Sequence, residues 1–326
     1  MACGPDDTAA HQRHTQHQGE PMADITIIGG INIDIEGKPF ETLRHEDSNP
    51  GHILFSHGGV GRNITENIAR MGGNVAMVSV IGDDHMGRGA IEELADLGVD
   101  ISGIKVCRDH GSAIYLSILN EKNDMEVGIC DMDIVNVITP EFLDERIELL
   151  ASSKAVALDG NLNEDTLSYA ADKLQGVSLF FDPVSSPKAI RAKNIIGKFS
   201  CIKPNIMEAE VLSGIEIQNE ADVEKAGRWF ISQGVEKVFI TLNKDGVYYT
   251  DGIKSGFIRP GEVKLNSATG AGDSFSAAIL LGMVQDMDVE KIAKFGMAAA
   301  QITMESSQAV NKYICKEEVE RRIANV

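Results

Sequence analysis

The segment Thr269–Phe275, TGAGDSF, has the residue types and spacing with the most chemical content. Gly270 and Gly272 stand directly before an apolar helical pattern, so the backbone can turn tightly and direct several N–H groups at one point. The helix dipole adds partial positive charge there, which makes an anion hole. Asp273 follows in the first helical turn, where it either caps the helix or takes a proton from an attacking hydroxyl. Phosphoryl transfer to an alcohol needs a carboxylate and an anion hole side by side.

A second glycine cluster is Gly58–Asn63, GGVGRN, which opens another helical pattern. It is not G-x-G-x-x-G and follows no long apolar strand, so it fits a dinucleotide fingerprint poorly. It is either a tight turn with a helix cap or a close approach of the backbone to a polar ligand. In the second case Asn63 would face the ligand cleft.

The third cluster is Lys203–Glu208, KPNIME, after an apolar strand. Asn205 is a good helix N-cap, and Glu208 stands three positions later, as in a capping box. The same two side chains, one helical turn apart, could also orient water around a magnesium ion bound to phosphates, because Mg²⁺ prefers oxygen ligands. The residue types leave both interpretations open.

Three further positions suit a cleft or a turn equally well. Asp34, in GGINID, either accepts hydrogen bonds from vicinal hydroxyls or caps a turn. Asp182 precedes Pro183 at a strand end, so it is a cleft residue or a turn former. The segment Thr241–Gly246, TLNKDG, is typical of a hairpin turn and would also border a nucleotide.

The elements around these residues alternate short apolar runs with amphipathic segments from Asp24 onward, which predicts βαβ units, a mostly parallel sheet and helices on both faces. Core strands are predicted at Ile25–Ile28, Val75–Val80, Ala155–Leu158, Ser178–Phe181, Cys201–Ile202 and Val238–Leu242. Over two segments, at about residues 35–57 and 104–133, apolar residues recur at nearly every second position, which predicts strands without crossover helices. We expect these two insertions to form a small β-sheet lid beside the carboxyl ends of the main strands, where ligands of open α/β sheets bind. The alternative is surface hairpins without a role.

The net charge and the length of the apolar runs limit which partners the protein can bind. The 326 residues carry a formal net charge of -19, which argues against binding a nucleic-acid polymer. The charge does not exclude binding of small phosphates, because backbone amides at a helix start hold anions without net positive charge. No apolar run approaches the ~20 residues that span a bilayer, so no membrane partner is expected.

The remaining sequence features concern the terminus and the cysteines. The first 21 residues are polar and lack an apolar centre, which predicts a disordered extension rather than a secretory signal, with the folded domain over residues 22–326. The five scattered cysteines are typical of reduced thiols in a cytoplasmic protein. Of these, we expect Cys130 and Cys201 in the core.

In this order, GGVGRN, KPNIME and TGAGDSF resemble the signatures of the ribokinase-like (PfkB) family of carbohydrate and nucleoside kinases, over about Asp24 to at least Ala309. The resemblance implies an α/β three-layer sandwich with a central, mostly parallel sheet and a small β-sheet lid. It also implies transfer of phosphate from ATP, with Mg²⁺, to a hydroxyl of a small nucleoside or sugar.

The family's residue roles carry over position by position. By resemblance Asp273 is the general base, and the amides of Gly270, Ala271 and Gly272 hold the transferring phosphoryl group. The resemblance assigns the substrate to Asn32, Asp34, Gly58, Gly59 and Asn63. It assigns the nucleotide to Lys203, Asn205, Thr241, Asn243, Gly246, Gly270 and Gly272, and the magnesium ion to Asn205 and Glu208.

Within the family the chain is most similar to the pseudouridine kinases, on NPGHILFSHGGVGRNITENIARMG, AIYLSILNEKNDMEVGICDMDI, LDGNL and FDPVSSPKA. This implies 5'-phosphorylation of pseudouridine and adds Asp131, Asn161 and Lys188 to the substrate residues. The alternatives are a kinase for another nucleoside or a free sugar such as uridine, ribose or a fructose-type sugar, and a catalytically silent nucleoside sensor. A homodimer through the lid is also expected, because apolar lid strands sometimes pair across a two-fold axis.

The chain departs from the family pattern at two positions. Many members have an Asp that helps to bind K⁺ where this chain has Ser267. K⁺ is therefore the cofactor that the resemblance supports least. The nucleotide hairpin often has Gly where this chain has Asn243, which weakens the expected nucleotide contacts there.

Overall fold

The computed structural model describes residues 23–261, 265–324 and 326. The expected disordered extension over residues 1–21 lies outside them. The described strands are β1 Ile25–Ile28, β2 Asn32–Pro39, β3 Gly51–Gly58, β4 Val75–Gly82, β5 Ile104–Cys107, β6 Ala113–Leu119, β7 Met125–Asp131, β8 Ala155–Asp159, β9 Ser178–Asp182, β10 Cys201–Ile202, β11 Lys237–Thr241, β12 Val247–Thr250 and β13 Ser255–Ile258.

The described α-helices are α1 Val60–Arg70, α2 His85–Asp96, α3 Pro140–Asp144, α4 Ile147–Ser152, α5 Glu164–Lys173, α6 Ser186–Ala189, α7 Ile206–Ser213, α8 Glu220–Ser232, α9 Ala271–Val284, α10 Val289–Met304 and α11 Lys316–Ile323. Short 3₁₀ segments occupy Asp133–Val137, Ile190–Lys198 and Asn243–Asp245. No helix among the described residues is long and apolar enough to cross a membrane.

The large sheet has the strand order β13-β12-β11-β10-β9-β8-β1-β4-β5. The strands from β11 to β5 are parallel, and among the described strands of this sheet β12 alone is reversed, since it pairs antiparallel with both β11 and β13. Its central strands are buried on both faces, because one helix layer, with α1, α9 and α10, covers one face and a second layer, with α5, α7 and α8, covers the other. The three-layer α/β sandwich expected from the sequence is confirmed.

The small sheet has the order β3-β2-β6-β7, with β2 and β6 parallel and the other pairs antiparallel. The expected lid segment 104–133 was wrong over Ile104–Cys107, which forms β5 and pairs with β4 in the large sheet. An edge strand of a large sheet is half exposed, so its apolar residues alternate just as those of a lid strand do. The small sheet also starts at Asn32, earlier than 35.

The two faces of the small sheet differ in polarity. Asp34 is in register with Ser56 and Tyr115 on one face. The opposite face, which we call the outer lid face, carries a row of apolar side chains by strand register: Ile35, Ile53, Phe55, Leu116, Ile118, Val127 and Ile129. Its side chains are exposed or half-buried.

The described cysteines are free thiols. Cys201 is buried in β10, as expected, whereas the placement of Cys130 in the core was wrong. Cys130 lies on β7, the edge strand of the small sheet, in which every residue is exposed. A strand that no helix covers keeps both faces in solvent, so its apolar residues do not indicate a core.

Candidate active site

Asp273 lies in the first turn of α9, after the N-cap residue Gly270. Gly270 has φ 79°, and a β-carbon there would lie 1.8 Å from the carbonyl oxygen of Ala309, so no larger residue fits. No side-chain capping hydrogen bond forms at this helix start, so Asp273 does not cap α9. Its carboxylate instead accepts a hydrogen bond of 2.8 Å from Nδ2 of Asn63. The amides of Ala271 and Gly272 stand at the same helix N-terminus, whose dipole favours an anion.

Asn63 belongs to the start of α1, and its neighbours show why the cluster is rich in glycine. Gly59 is the N-cap with φ 101°, and a β-carbon there would lie 2.4 Å from the carbonyl oxygen of Gly30. The N-terminus of α1 is thereby pressed against the loop after β1. The cluster is the tight turn and helix cap of the first interpretation, and it directs Asn63 at Asp273.

Asp34 lies on β2 directly over Gly58, where a β-carbon would come within 2.1 Å of its Oδ2. Oδ1 of Asp34 accepts a hydrogen bond of 2.5 Å from Nδ2 of Asn32. Burial raises the pKa of Asp34 to about 6, against the opposing effects of Asn32 and the Arg62 guanidinium. The carboxylate is half-buried and points from the lid towards the start of α1, which suits recognition of hydroxyl groups.

Asn161 and Lys188 form a pair after β8 and in α6. Nζ of Lys188 donates to Oδ1 of Asn161 at 2.5 Å. A β-carbon on Gly30 would lie 3.7 Å from Nδ2 of Asn161, so the pair borders the same loop as Asn32. Asp131 is not brought to this group, because it is in register with Ile114 on the lid face opposite Asp34.

Lys203 lies beside the anion hole. Its side chain is buried, and Nζ forms an ion pair of 3.3 Å with Oδ2 of Asp182. A β-carbon on Gly272 would lie 3.6 Å from Nζ. Burial lowers the pKa of Lys203, but the carboxylates of Asp182, Glu208 and Asp273 outweigh it and raise the pKa, so the ammonium group stays charged. A fixed positive charge therefore stands next to the α9 amides.

Asn205 and Glu208 form the capping box predicted from their spacing. Oδ1 of Asn205 accepts from the N–H of Glu208 at 2.9 Å, and Oε2 of Glu208 accepts from the N–H of Asn205 at 2.8 Å. Burial raises the pKa of Glu208, and Lys203 opposes this. Within the described ranges, no three His, Cys, Asp or Glu side chains cluster as a metal site. The carboxylate fits Mg²⁺ only as one ligand of a set completed by phosphate and water, which is how Mg²⁺ is usually held.

Thr241, Asn243 and Gly246 lie at the turn between β11 and β12. Asn205 and Thr241 form an isolated parallel bridge, which joins the turn to the capping box. Asn243 has φ 54°, a conformation that Asn tolerates, so it replaces the family's Gly without a large steric cost. Further along, Oγ of Ser267 accepts from the N–H of Thr269 at 3.1 Å.

The electrostatics around Asp273 suit a general base. Burial and the nearby Asp182 and Asp159 carboxylates raise the pKa of Asp273 to about 7, while Asn63 and Lys203 oppose the rise. A carboxyl group with a pKa near neutrality accepts a proton more readily than an ordinary Asp, and about half of it is ionised near pH 7. The group can therefore deprotonate a hydroxyl brought between α9 and the lid.

The sequence reasoning did not single out Asp159, at the end of β8. It is almost fully buried, and its carboxylate accepts from the N–H groups of Gly30, Gly61 and Asn161. Burial raises the pKa of Asp159, and the hydrogen bonds from Gly30 and Asn161 oppose this. A carboxylate at the carboxyl end of an apolar strand, followed by Gly, was the available signal.

The order of these parts along the chain agrees with a known family. A sequence profile of the pfkB family carbohydrate kinases matches residues 22–314. The chain belongs to the PfkB family. This PfkB kinase is 34% identical over 281 residues to a pseudouridine kinase of Escherichia coli strain K12, a match that covers 86% of this chain and 90% of the relative. It is 28% identical over 291 residues to a guanosine-inosine kinase of Exiguobacterium acetylicum, over 88% and 96% of the two chains.

Among solved structures, a carbohydrate kinase from Agrobacterium tumefaciens superimposes with a TM-score of 0.83 and 26% identity, over 94% of this PfkB kinase and 98% of that chain. The family and the fold together make this protein a kinase of sugars or nucleosides.

Proposed function

We propose that this PfkB kinase transfers the γ-phosphoryl group of ATP to the 5'-hydroxyl of pseudouridine and releases pseudouridine 5'-phosphate and ADP. The observation that carries the proposal is the 2.8 Å hydrogen bond from Asn63 to Asp273. It joins the helix that would hold the phosphates to the helix that borders Asp34. A base of raised pKa then lies where a hydroxyl from the lid side would meet a phosphoryl group from the α9 side.

The proposed chemistry is one in-line displacement. Asp273 takes the proton of the 5'-hydroxyl as the 5'-oxygen forms a bond to the γ-phosphorus. The bond from that phosphorus to the oxygen bridging the β- and γ-phosphates breaks, and ADP leaves with its electron pair. The amides of Ala271 and Gly272 and the ammonium of Lys203 stabilise the negative charge that develops on the phosphoryl oxygens.

Nucleotide binding is proposed for the residues around the capping box. Lys203, Asn205 and the turn at Thr241, Asn243 and Gly246 border the α9 N-terminus, where the phosphates would lie. Glu208 would hold Mg²⁺ through its carboxylate, with Asn205 beside it, and the ion would neutralise phosphate charge. This arrangement lets a chain of net charge -19 bind a polyanion with few cationic side chains.

The acceptor side supports a ribosyl group. Asp34 and Asn32 offer an acceptor and a donor for vicinal hydroxyls, and Asn161 with Lys188 offers further polar groups on the same side. The pseudouridine kinase relative favours this nucleoside. The guanosine-inosine kinase relative makes purine nucleosides the second candidate, and a free sugar such as ribose or a fructose-type sugar the third.

An acceptor panel tests the proposal. Purified protein with MgATP is given pseudouridine, uridine, guanosine, inosine, ribose or fructose, and ADP release is measured over a range of acceptor concentrations. We expect kcat/KM to be highest for pseudouridine, with the phosphate on the 5'-oxygen by ³¹P NMR. A comparable kcat/KM for ribose would overturn the assignment. Thermal stabilisation by a nucleoside without any ADP release would instead indicate a silent sensor.

The role of Asp273 is tested by Asp273→Asn. The amide cannot accept the proton, so kcat should fall about 10²- to 10⁴-fold, the usual range for a general base. Asp172→Asn is the matched control, because Asp172 is exposed and its ion pair with Lys198 lies on the surface of α5. Full turnover by folded Asp273→Asn would show that another group takes the proton.

A further inference from the structure

Three segments of the acceptor site meet at one buried carboxylate. Oδ2 of Asp159 accepts from the N–H of Gly30 at 2.9 Å and from the N–H of Gly61 at 3.1 Å. Oδ1 accepts from the N–H of Asn161 at 2.9 Å. Gly30 follows β1, Gly61 is in the first turn of α1, and Asn161 follows β8, so one side chain joins three segments that are distant in the sequence.

The packing around Asp159 leaves its carboxylate no space for a different position. A β-carbon on Gly29 would lie 2.3 Å from Oδ2 of Asp159, and a β-carbon on Gly61 would lie 2.9 Å from Cα of Gly29. The two glycines therefore allow the loop after β1, the start of α1 and the carboxylate to touch. All three partners of the carboxylate are donors, which favours its ionised form.

We propose that Asp159 is a positioning residue, which holds the three segments of the acceptor site in one arrangement by accepting hydrogen bonds from their backbone N–H groups. The inference rests on the proposed function of the site. These segments carry Asn63 and Asn161 and lead into β2, which carries Asn32 and Asp34. Asp159 therefore affects acceptor binding. Because Asn63 donates a hydrogen bond to Asp273, Asp159 also affects the position of this general base.

Asp159 also affects the general base Asp273 through its charge. The ionisable groups that face Asp273 are Asp182 at the end of β9, Asp159 at the end of β8 and Lys203 after β10. The two carboxylates raise the pKa of Asp273 and the ammonium lowers it. Removing the charge of Asp159 should lower the pKa of Asp273 and move the acid limb of the rate profile to lower pH.

Two substitutions separate the contact from the charge. Asp159→Asn removes the charge and turns an amide towards N–H donors. Gly29→Ala keeps the charge but places a methyl group against Oδ2. Both should raise the KM for pseudouridine roughly tenfold or more, since a buried hydrogen bond to a charged group is lost or distorted, with the KM for ATP unchanged. Only Asp159→Asn should shift the acid limb. Asp172→Asn is the surface control.

Hydrogen exchange measures the positioning without any substrate. In Asp159→Asn the amides of peptides spanning 29–34, 59–63 and 159–162 should exchange faster together, while a peptide over Val247–Thr250 keeps its rate. If Asp159→Asn does not fold, Gly29→Ala provides the same peptides and the KM comparison.

Wild-type exchange in all three peptides of either folded variant would overturn the inference. So would an equal loss of affinity for ATP and pseudouridine, which is the result of a merely structural defect. If the wild-type protein phosphorylates no nucleoside, the proposed function fails, while the exchange data still test the positioning.

Discussion

At the scale of single residues, the raised pKa of Asp273, about 7, predicts the pH dependence of the reaction. Above that pH the carboxylate is ionised and accepts the proton of the acceptor, and below it the protonated group cannot. We therefore expect kcat/KM to rise with pH and to level off above about 7, with a tenfold loss per unit well below it. Initial rates at pH 5 to 9 with saturating ATP check this.

A second ionisation should steepen the acid limb. Asp34 has a pKa raised to about 6, so the lid carboxylate becomes protonated there and no longer accepts hydrogen bonds as an anion. The steeper part should disappear in Asp34→Asn, while the ionisation near pH 7 stays. A rate independent of pH between 5.5 and 8 would contradict the role of Asp273 as base.

The same residue scale shows what the sequence can and cannot reveal. Asn205 and Glu208 form the predicted capping box, because a capping box depends on residues three positions apart. Asp159 escaped notice because its partners are backbone groups of Gly30 and Gly61, 129 and 98 positions away. Local spacing carries no information about which loops a fold brings together.

At the scale of elements, the N-terminus of α9 depends on a glycine in a left-handed conformation. Gly270 and Gly98 both have φ 79°, but a β-carbon on Gly98 would meet no atom within 4 Å, whereas one on Gly270 would meet the Ala309 carbonyl. Gly98→Ala should cost about 1 kcal/mol of stability through backbone strain alone. Gly270→Ala should cost more and also lower kcat, because the α9 amides shift.

Urea denaturation and initial rates measure these two effects. Gly98→Ala should retain the wild-type kcat, since the loop after α2 does not touch the site. Equal losses of stability in the two variants, with kcat unchanged in both, would show that the contact with Ala309 does not fix the anion hole.

Elements also explain the limits of the fold prediction. The central strands were predicted within a residue or two, as for Ile25–Ile28, because strands buried on both faces are continuous apolar runs. The alternation of apolar residues in Ile104–Cys107 fits a lid strand and an edge strand of the large sheet equally well, so the pattern alone does not distinguish the two. The choice depends on the crossover helix α2, which returns the chain to the large sheet beside β4.

At the scale of the whole molecule, the outer lid face is an apolar surface that stays largely exposed in the part of the chain that the structure describes. Ile53, Phe55, Val127 and Ile129 are 64%, 60%, 48% and 59% exposed, and strand register places them on one face. A contiguous apolar patch of this kind marks an interface more often than a solvated surface. We propose that two copies pack these faces together as stacked sheets, with the acceptor sites on the opposite faces.

Phe55→Glu tests this dimer, with Leu54→Glu as its control. The two residues are neighbours on β3 and are equally exposed, at 60% each, but Leu54 is in register with Glu36 on the face that carries Asp34. A buried, unpaired carboxylate in an apolar interface is costly, so Phe55→Glu should sediment at the chain mass of 35.2 kDa. Wild type and Leu54→Glu should sediment at twice that mass in analytical ultracentrifugation. A monomeric wild type, or a Phe55→Glu variant that remains dimeric, would exclude an interface at the outer lid face.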